Sequence, residues 1–582
     1  MNRSGWARWV PGVAAARGYR RGDLRHDLVA GLVLSALLVP QGMAYAELAG
    51  LPPVTGLYTT VLGLLAYALF GPSKTLVVGP DSSLGPMIAA AILPLVGAGG
   101  DPAQAIALAG MLALLMGVIC ILAGVARIGA LAELLSMPVR VGYLNGIALV
   151  IVVSQLPKLF GFSVDATSTV GELREFVDAV ADGATNATAL LLGLLSFAVI
   201  VAFRRFLPKV PGVLVAVVGA TATVSLLDLA GEVPVVGTVP QGFPELTFPT
   251  VSFEDAVALA VAALGIAFVT LADTTVLART FAAKVGDVSD PNQDMVGLGA
   301  ANVAAGLFQG FPVSASSSRT AVAFSSGART QLVGVVGAAV VLAVLLSASD
   351  LLSDLPSATL AAVVLAAALM LFDLPVLSRL WRVRRSELVL SMAALVGVVV
   401  FGVLEGIVVA IALSLANFVR RVWRPYDAEL GRLVGRKGYH DVRRHPDADL
   451  IPGLVLYRWD APVFFANADE FSRRIRESVA NQPEAVRWVV VAAEPITDVD
   501  TTGAEVLEEL VGDLESEGRV LAFAELKGPV KDRLRVYGLY DKIGDEHFLP
   551  TLGTAIDAYL RATGVEWDDP IDGSGGPASP AR

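Results

Sequence analysis

Apolar runs of roughly 20 residues, the length that spans a bilayer as a helix, recur along the chain from residue 28 to about residue 422. They include 105–126, 187–203, 333–348 and 388–416, the last long enough for a close pair of spans. About 12 to 14 transmembrane helices are expected, with 14 preferred. Two stretches break the pattern at matching places in two hydrophobic halves: VGPDSSLGPM at 78–87 and FPVSASSSRTA at 311–321, about 235 residues apart. In lipid every backbone N–H and C=O must be satisfied internally, so Gly, Pro and Ser clusters at bilayer depth belong where they line a cavity. Corresponding interruptions in two halves point to a duplicated bundle and to a transporter's binding site.

The pattern changes near Arg420. The basic stretch 420–444, interrupted by Pro425 and several Gly, reads as a linker at the membrane surface. Beyond it, short β-rich runs (453–459, 462–467, 486–492, 519–526) alternate with amphipathic helical stretches (469–480, 502–517, 529–539, 552–560), which argues for a compact α/β domain. About 110 residues are enough for one small core. The expected organisation is an N-terminal cytoplasmic segment (1–27), a transmembrane domain (28–422), a linker (423–450), a soluble domain (451–562) and a tail (563–582) whose Gly, Pro and Ser content from 568 onward reads as disorder.

Composition narrows the class. With 55% hydrophobic and 17% charged residues in 582, and a mean hydropathy of +0.66, the chain is an integral membrane protein. Arg3, Arg8, Arg17, Arg20, Arg21 and Arg25 precede the first span, and Arg420, Arg421 and Arg424 follow the last, so the positive-inside rule puts both ends in the cytoplasm and makes the span count even. No short apolar core with a cleavage site precedes the first span, so that helix is expected to direct insertion itself. Cys120 is the single cysteine, which excludes disulfides within one chain and thiolate clusters, and the four histidines fall outside the spans without metal-site spacing. The net charge of −11 gathers after Asp447 and belongs to the soluble domain. No GxxxxGK[ST] occurs, which disfavours primary active transport. Neither a bound cofactor nor a nucleic-acid partner is expected, and the chain does not read as an enzyme.

Several motifs resemble those of the sulfate permease (SulP) group, related to the mammalian solute carrier 26 anion transporters. They are LVPQGMAYAELAGLPPVTGLY at 38–58, the Gly79-Pro80 break, FPVSASSSRTAV at 311–322 and GARTQL at 327–332. YRWDAPVFFANADEF at 457–471 and ITDVDTTGAEVLEEL at 496–510 resemble the C-terminal STAS domain of the same group. The resemblance covers nearly the whole chain. It implies a polytopic α-helical transporter with a seven-plus-seven inverted repeat of the UraA type, half-helices in spans 3 and 10, and a cytoplasmic α/β STAS domain. It also implies a homodimer, an elevator-like motion, and a STAS domain open to a cytoplasmic regulator.

In that fold the two half-helices meet near the midplane, each with a Ser cluster to supply N-caps. Their free N–H groups and positive dipole ends converge, which makes an anion site. Ser318 and Arg319 match the group's Ser-Arg pair at the start of span 10, and an intramembrane Arg is by default functional; the bland alternative is pairing with a carboxylate. Ser82 and Ser83 are the counterparts on span 3, as substrate contacts or as caps. Gln41 and Tyr45 share one face of span 1, which the resemblance places on the cavity. Asp273 stands where many members carry an acid in span 8, and the resemblance implies a coupling site for H⁺ or Na⁺; the alternative is a structural pair with Arg319 or Arg279. Two positions depart from the pattern: Ser317 where a bulky residue is common, and Asp81 where a small one is, the latter a cap or a cation site. Thr502 occupies the place that is phosphorylated in STAS anti-sigma antagonists; the bland alternative, which is preferred, is a helix cap.

The expectation is a secondary active transporter of a small anion (bicarbonate, sulfate or a dicarboxylate) in a bacterial inner membrane, coupled to H⁺ ahead of Na⁺. The rival readings are an uncoupled exchanger or channel, and a membrane signalling protein whose STAS domain is the working part.

Overall fold

A computed structural model describes residues 9–96, 100–129, 136–164, 166, 168–207, 210–347 and 352–567, so the tail 568–582 read as disordered lies outside the described residues. The chain divides into two units, Met1–Ser414 and Leu415–Arg582. In the first, the apolar runs form helices α1 (Leu24–Leu48), α2 (Pro53–Phe70), α3 (Gly85–Val96), α4 (Pro102–Val125), α5 (Met137–Leu159), α6 (Ala187–Phe206) and α7 (Gly212–Leu226). A second set of seven follows: α8 (Phe253–Lys284), α9 (Pro291–Leu307), α10 (Ser317–Ser325), α11 (Leu332–Ser347), α12 (Ser357–Leu371), α13 (Arg385–Phe401) and α14 (Val403–Trp423), the last continuing past Ser414, where the first unit ends. Among the described residues, eight helices are long and apolar enough to cross a membrane by length and composition, and α3, α7 and α11 are shorter apolar helices. The expected close pair at 388–416 is α13 and α14, separated by Gly402 alone at φ +110°.

The architecture is a seven-plus-seven inverted repeat of the UraA type. In each repeat the third helix is short: α3 has 12 residues and α10 has 9, about 18 and 14 Å at the α-helical rise against a hydrocarbon core of ~30 Å. A two-residue strand leads into each, β1 (Val78–Gly79) and β2 (Ser314–Ala315), and the strands pair antiparallel, Val78 with Ala315 and Gly79 with Ser314. The broken segments therefore satisfy part of each other's backbone inside an otherwise helical unit.

Helix α4 packs on α9 through backbone contact. A Cβ on Gly299 would lie 2.6 Å from the Gly117 carbonyl oxygen, and one on Gly306 would lie 2.6 Å from that of Gly110. The two glycine pairs are two turns apart, the small-residue stripe by which helices approach closely where apolar burial gives no preference over lipid. Asp101 and Asp290 start these helices alike, each followed by Pro at the first position and accepting from first-turn N–H groups.

The second unit holds a six-stranded sheet in the order β4-β3-β5-β6-β7-β8, from β3 (Asp427–Arg432), β4 (Tyr439–Asp441), β5 (Leu454–Trp459), β6 (Trp488–Ala492), β7 (Val520–Ala524) and β8 (Phe548–Leu549). Strands β5 to β8 run parallel, while β3 is antiparallel to both β4 and β5. Val455, Tyr457 and Trp459 face the core under α15 (Ala468–Ala480) and α16 (Thr501–Ser516), and Leu454 and Leu456 face α18 (Leu552–Thr563). Helix α17 (Gly528–Val536) joins β7 to β8.

Two expectations are corrected here. The stretch 423–450, read as a linker, contributes β3 and β4 to the sheet; its acidic positions are partnered, Asp427 by Arg474 (2.6 Å) and Tyr457 (3.0 Å), which let a charged sequence build a strand. The β-rich run 462–467 makes only a single bridge, Val463 with Val499, because the Asn467 side chain binds both Phe464 N–H (3.0 Å) and Pro462 carbonyl (3.0 Å) and turns the chain.

Candidate anion site at the half-helix crossing

Neighbouring helices hold both extended segments through side chains. Asn302 on α9 accepts from the Val313 N–H (2.9 Å) and donates to the Val313 carbonyl (3.1 Å), and Thr59 on α2 accepts from Phe311 N–H (3.1 Å). On the other side, Ser316 N–H donates to the Val77 carbonyl (3.0 Å), and the Thr320 hydroxyl accepts from the Val77 N–H (3.1 Å). Gln331 donates to the carbonyls of Ser73 (2.7 Å) and Leu76 (2.8 Å). Irregular backbone at membrane depth persists here because its polar groups have partners.

Arg319 is wholly buried, its guanidinium lying against β1. A Cβ at Gly79 would come within 3.0 Å of Nη1, so glycine leaves the space the cation occupies. Nη2 donates to the Pro80 carbonyl, while Nε and Nη1 are buried without a hydrogen-bond partner. Asp81 and Tyr45 are the groups within its electrostatic reach, and Tyr45 also meets Ser82. The structure thus brings Tyr45, Ser82, Asp81 and Arg319 together, from α1 and from the starts of both half-helices. Gln41 stands one turn before Tyr45 on α1, its Oε1 buried and unpartnered. Ser83 and Ser318 flank the group, buried and half-buried.

The serines do not cap as expected. Ahead of α3, Asp81 accepts from the Ser83 N–H (3.1 Å) and the Ser83 hydroxyl (2.8 Å), closing the turn at 82–84 that leads into the helix at Gly85. At α10, Ser316 stands at the N-cap with no side-chain cap bond, and its hydroxyl lies 3.3 Å from that of Ser318. Pairing with Val77 holds Ser316 extended, at φ −100° and ψ 123°.

Asp273 on α8 is the second correction: its cation is neither Arg319 nor Arg279 but Arg140 on α5, Nη1 to Oδ1 3.6 Å. Asp81 and the Tyr143 phenol are also within electrostatic reach of Asp273. Four ionisable groups therefore run Arg319, Asp81, Asp273, Arg140, and their formal charges sum to zero. Sequence reasoning missed Arg140, Tyr143, Asn302 and Thr59. Arg140 had a signal, a lone Arg in the apolar stretch MPVRVGYLNG. Asn302 and Thr59 had none, because their role lies in backbone they meet only in the fold.

In the STAS-like unit Thr502 is exposed in the first turn of α16. It is not the cap: Asp500 is, accepting from Gly503 N–H at 2.7 Å, with its other oxygen accepting from Phe465 N–H at 3.0 Å.

Comparison with known proteins bears on this geometry. Residues 24–394 match the sulfate permease family. The chain belongs to that family. Residues 445–555 match the STAS domain. A probable sulfate transporter of Mycobacterium tuberculosis is 44% identical over 556 residues, covering 95% of this chain and 99% of the relative. Probable sulfate transporter 4.2 of Arabidopsis thaliana is 30% identical, covering 93% and 82%. The murine solute carrier 26 family member A9 anion transporter, in an inward-facing state, superposes with a TM-score of 0.86 at 23% identity over 95% of this chain and 94% of its own. The transmembrane domain of the cyanobacterial bicarbonate transporter BicA matches at 0.59 and 25% identity over 67% of this chain and 98% of its own. This sulfate permease family member is a multi-pass membrane transporter with a STAS domain, not an enzyme.

Proposed function

We propose that this transporter carries a small oxyanion, sulfate first, by proton-coupled symport in a bacterial inner membrane with both termini cytoplasmic. The observation that carries the reading is Arg319: a wholly buried guanidinium at the crossing of two half-helices, with Nε and Nη1 unpartnered. Burying a cation with unmet N–H groups is costly unless something arrives to meet them. An oxyanion offers several acceptor oxygens to those groups and to the uncapped start of α10. The names of the relatives favour sulfate over bicarbonate.

Charge arithmetic supports coupling. With Asp81 and Asp273 ionised the four-group line is neutral, and a proton on Asp273 makes it +1 and leaves Arg140 uncompensated. An anion then enters a site whose charge rises with protonation, so proton and anion bind cooperatively. The seven-plus-seven fold supports an elevator-like movement of the half-helix core. One observation favours a second reading: Asp273 already has a cation, and a fixed Asp273–Arg140 pair would leave an uncoupled exchanger.

Uptake of labelled sulfate, bicarbonate and fumarate into proteoliposomes tests both. Accumulation of sulfate under an inward H⁺ gradient, lost in Asp273→Asn while sulfate–sulfate exchange continues, is the expected result. Gradient-independent flux that survives the substitution establishes the exchanger.

A further inference from the structure

We propose that Arg140 is the resident counter-cation of Asp273, filling the place a co-transported Na⁺ would take and so restricting the coupling ion to H⁺. The inference rests on the reading of Asp273 as the coupling carboxylate and adds the residue that sets its ion specificity.

The position of Arg140 is costly for its helix. Ser136 stands at the N-cap of α5 and the Arg140 N–H closes the first turn onto the Ser136 carbonyl, so the cation sits at the positive end of the helix dipole. A Lys or Arg is favoured at the other end of a helix. What compensates the charge is Asp273, 3.6 Å away, with the two side chains 24% and 26% exposed.

Around this pair the structure holds oxygen ligands that have no partner. The Tyr143 hydroxyl, one turn after Arg140 on α5 and within electrostatic reach of Asp273, is buried and unbonded. Thr270, one turn before Asp273 on α8, also has a buried, unbonded hydroxyl. A carboxylate with neighbouring hydroxyls is the donor set of a hard cation. In this chain a guanidinium stands beside the carboxylate instead, and a second cation would have to enter against its repulsion.

Removing Arg140 inverts the balance. The line Arg319, Asp81, Asp273 then carries a net −1 when its acids are ionised, which repels the anion and opens an oxygen-lined place beside Asp273. Sodium would restore neutrality there, so a Na⁺-independent transporter becomes a Na⁺-dependent one.

The test is sulfate uptake in proteoliposomes with Na⁺ or with choline as the external cation, for wild type, Arg140→Ala, Arg140→Lys and Asp273→Asn, with Na⁺-induced change in the melting temperature of each purified full-length protein as a second readout. Wild type and Arg140→Lys are expected to be indifferent to Na⁺ in both readouts. Arg140→Ala is expected to gain about tenfold in uptake with Na⁺ and to melt higher in its presence, a shift readable even where its turnover is low. A wild type that needs Na⁺ overturns the proposal. So does an Arg140→Ala protein that folds, by size-exclusion profile, and ignores Na⁺ in both readouts. If Arg140→Ala does not fold, the Na⁺ response of wild type and of Arg140→Lys decides. Asp273→Asn separates the two levels: gradient-driven accumulation that persists in it overturns the coupling reading and the inference together. Its loss, alongside an Arg140→Ala protein without Na⁺ response, overturns the inference alone.

Discussion

The Arg319 guanidinium donates to the carbonyl of Pro80, so the cation at the start of one half-helix is tied to the backbone leading into the other. The residues are 239 positions apart in the chain and belong to different repeats. The contact uses one nitrogen and leaves two others unpartnered, which makes Arg319 both a clasp between the repeats and an open donor set.

Substitution at Arg319 should therefore fail in a graded way. Arg319→Lys keeps the charge but replaces a planar fork by a point charge on a flexible stem, and cannot hold Pro80 while presenting two further donors. Sulfate uptake should fall at least about tenfold, the factor that accompanies ~1.4 kcal/mol of lost binding. Arg319→Ala should abolish it. Uptake at constant surface expression is the measurement, and a fully active lysine variant would show that charge alone suffices.

Asn302 should behave as a positioning residue. It meets both the N–H and the carbonyl of Val313, and Asn302→Leu leaves those two groups buried and unmet, at about 1–3 kcal/mol each. Melting should drop, and KM for sulfate should rise because the strand before α10 loses its register against β1. Thr59→Val, which removes the single acceptor for Phe311 N–H, should do the same to a smaller degree.

How much of this was legible in the sequence follows from where each signal lives. The half-helices were readable because Gly79, Pro80 and the serines at 314–318 interrupt apolar runs, and lipid tolerates such breaks only at a cavity. Arg319 was readable because an intramembrane charge is rare. The Arg140–Asp273 pair was not, since the two residues are 133 positions apart by number and the partners that suggested themselves, Arg279 and Arg319, were nearer or more prominent. Strands β3 and β4 were hidden because basic residues at 420–444 resemble a membrane-surface linker, and only pairing shows Asp427 and Glu429 as ladder positions against β5 and Gly431 as one against β4. The hydroxyl residues were misread as caps for a simpler reason. Hydroxyl side chains beside an aspartate compete with it for the same N–H groups: the Asp500 carboxylate rather than Thr502 caps α16, and the Asp81 carboxylate takes the Ser83 N–H in the turn before α3.

The α4–α9 contact predicts a different failure. Gly299→Val would place branched carbons against the Gly117 carbonyl, where even a Cβ lies at 2.6 Å. The helices must separate, and no apolar burial in lipid compensates the lost packing. Expression and melting temperature should fall sharply in Gly299→Val, while Gly219→Ala on α7, with open space around its Cβ position, should cost little.

Outside the spans, the surface helix Thr169–Ala181 carries a pH dependence. Burial, then repulsion from Glu175, pushes the Glu172 carboxyl from an ordinary 4.5 up to about 7. Between these values the folded helix holds a proton the unfolded segment has released, so its stability falls as pH rises across the window. Phe176 packs this helix against Phe160 and Phe162. Hydrogen exchange of 169–181, corrected for intrinsic rate, should show protection declining from pH 4.5 to 7 in wild type and flat in Glu172→Gln.

The STAS unit separates two roles that the sequence left superposed on Thr502. Asp500 caps α16 and also accepts from Phe465 N–H, so Asp500→Ala loses two bonds and should lower stability by about 1–2 kcal/mol. Thr502 is exposed and makes no cap, so Thr502→Ala should leave melting unchanged. Thr502→Glu puts negative charge in the first turn, where the helix dipole favours it, and should also fold normally. Any change in sulfate uptake that Thr502→Glu causes and Thr502→Ala does not would then report regulation through charge at that position, because stability is constant across the pair. Equal uptake in wild type, Thr502→Ala and Thr502→Glu, measured beside a destabilised Asp500→Ala, would rule out phosphorylation at Thr502 as a control on transport.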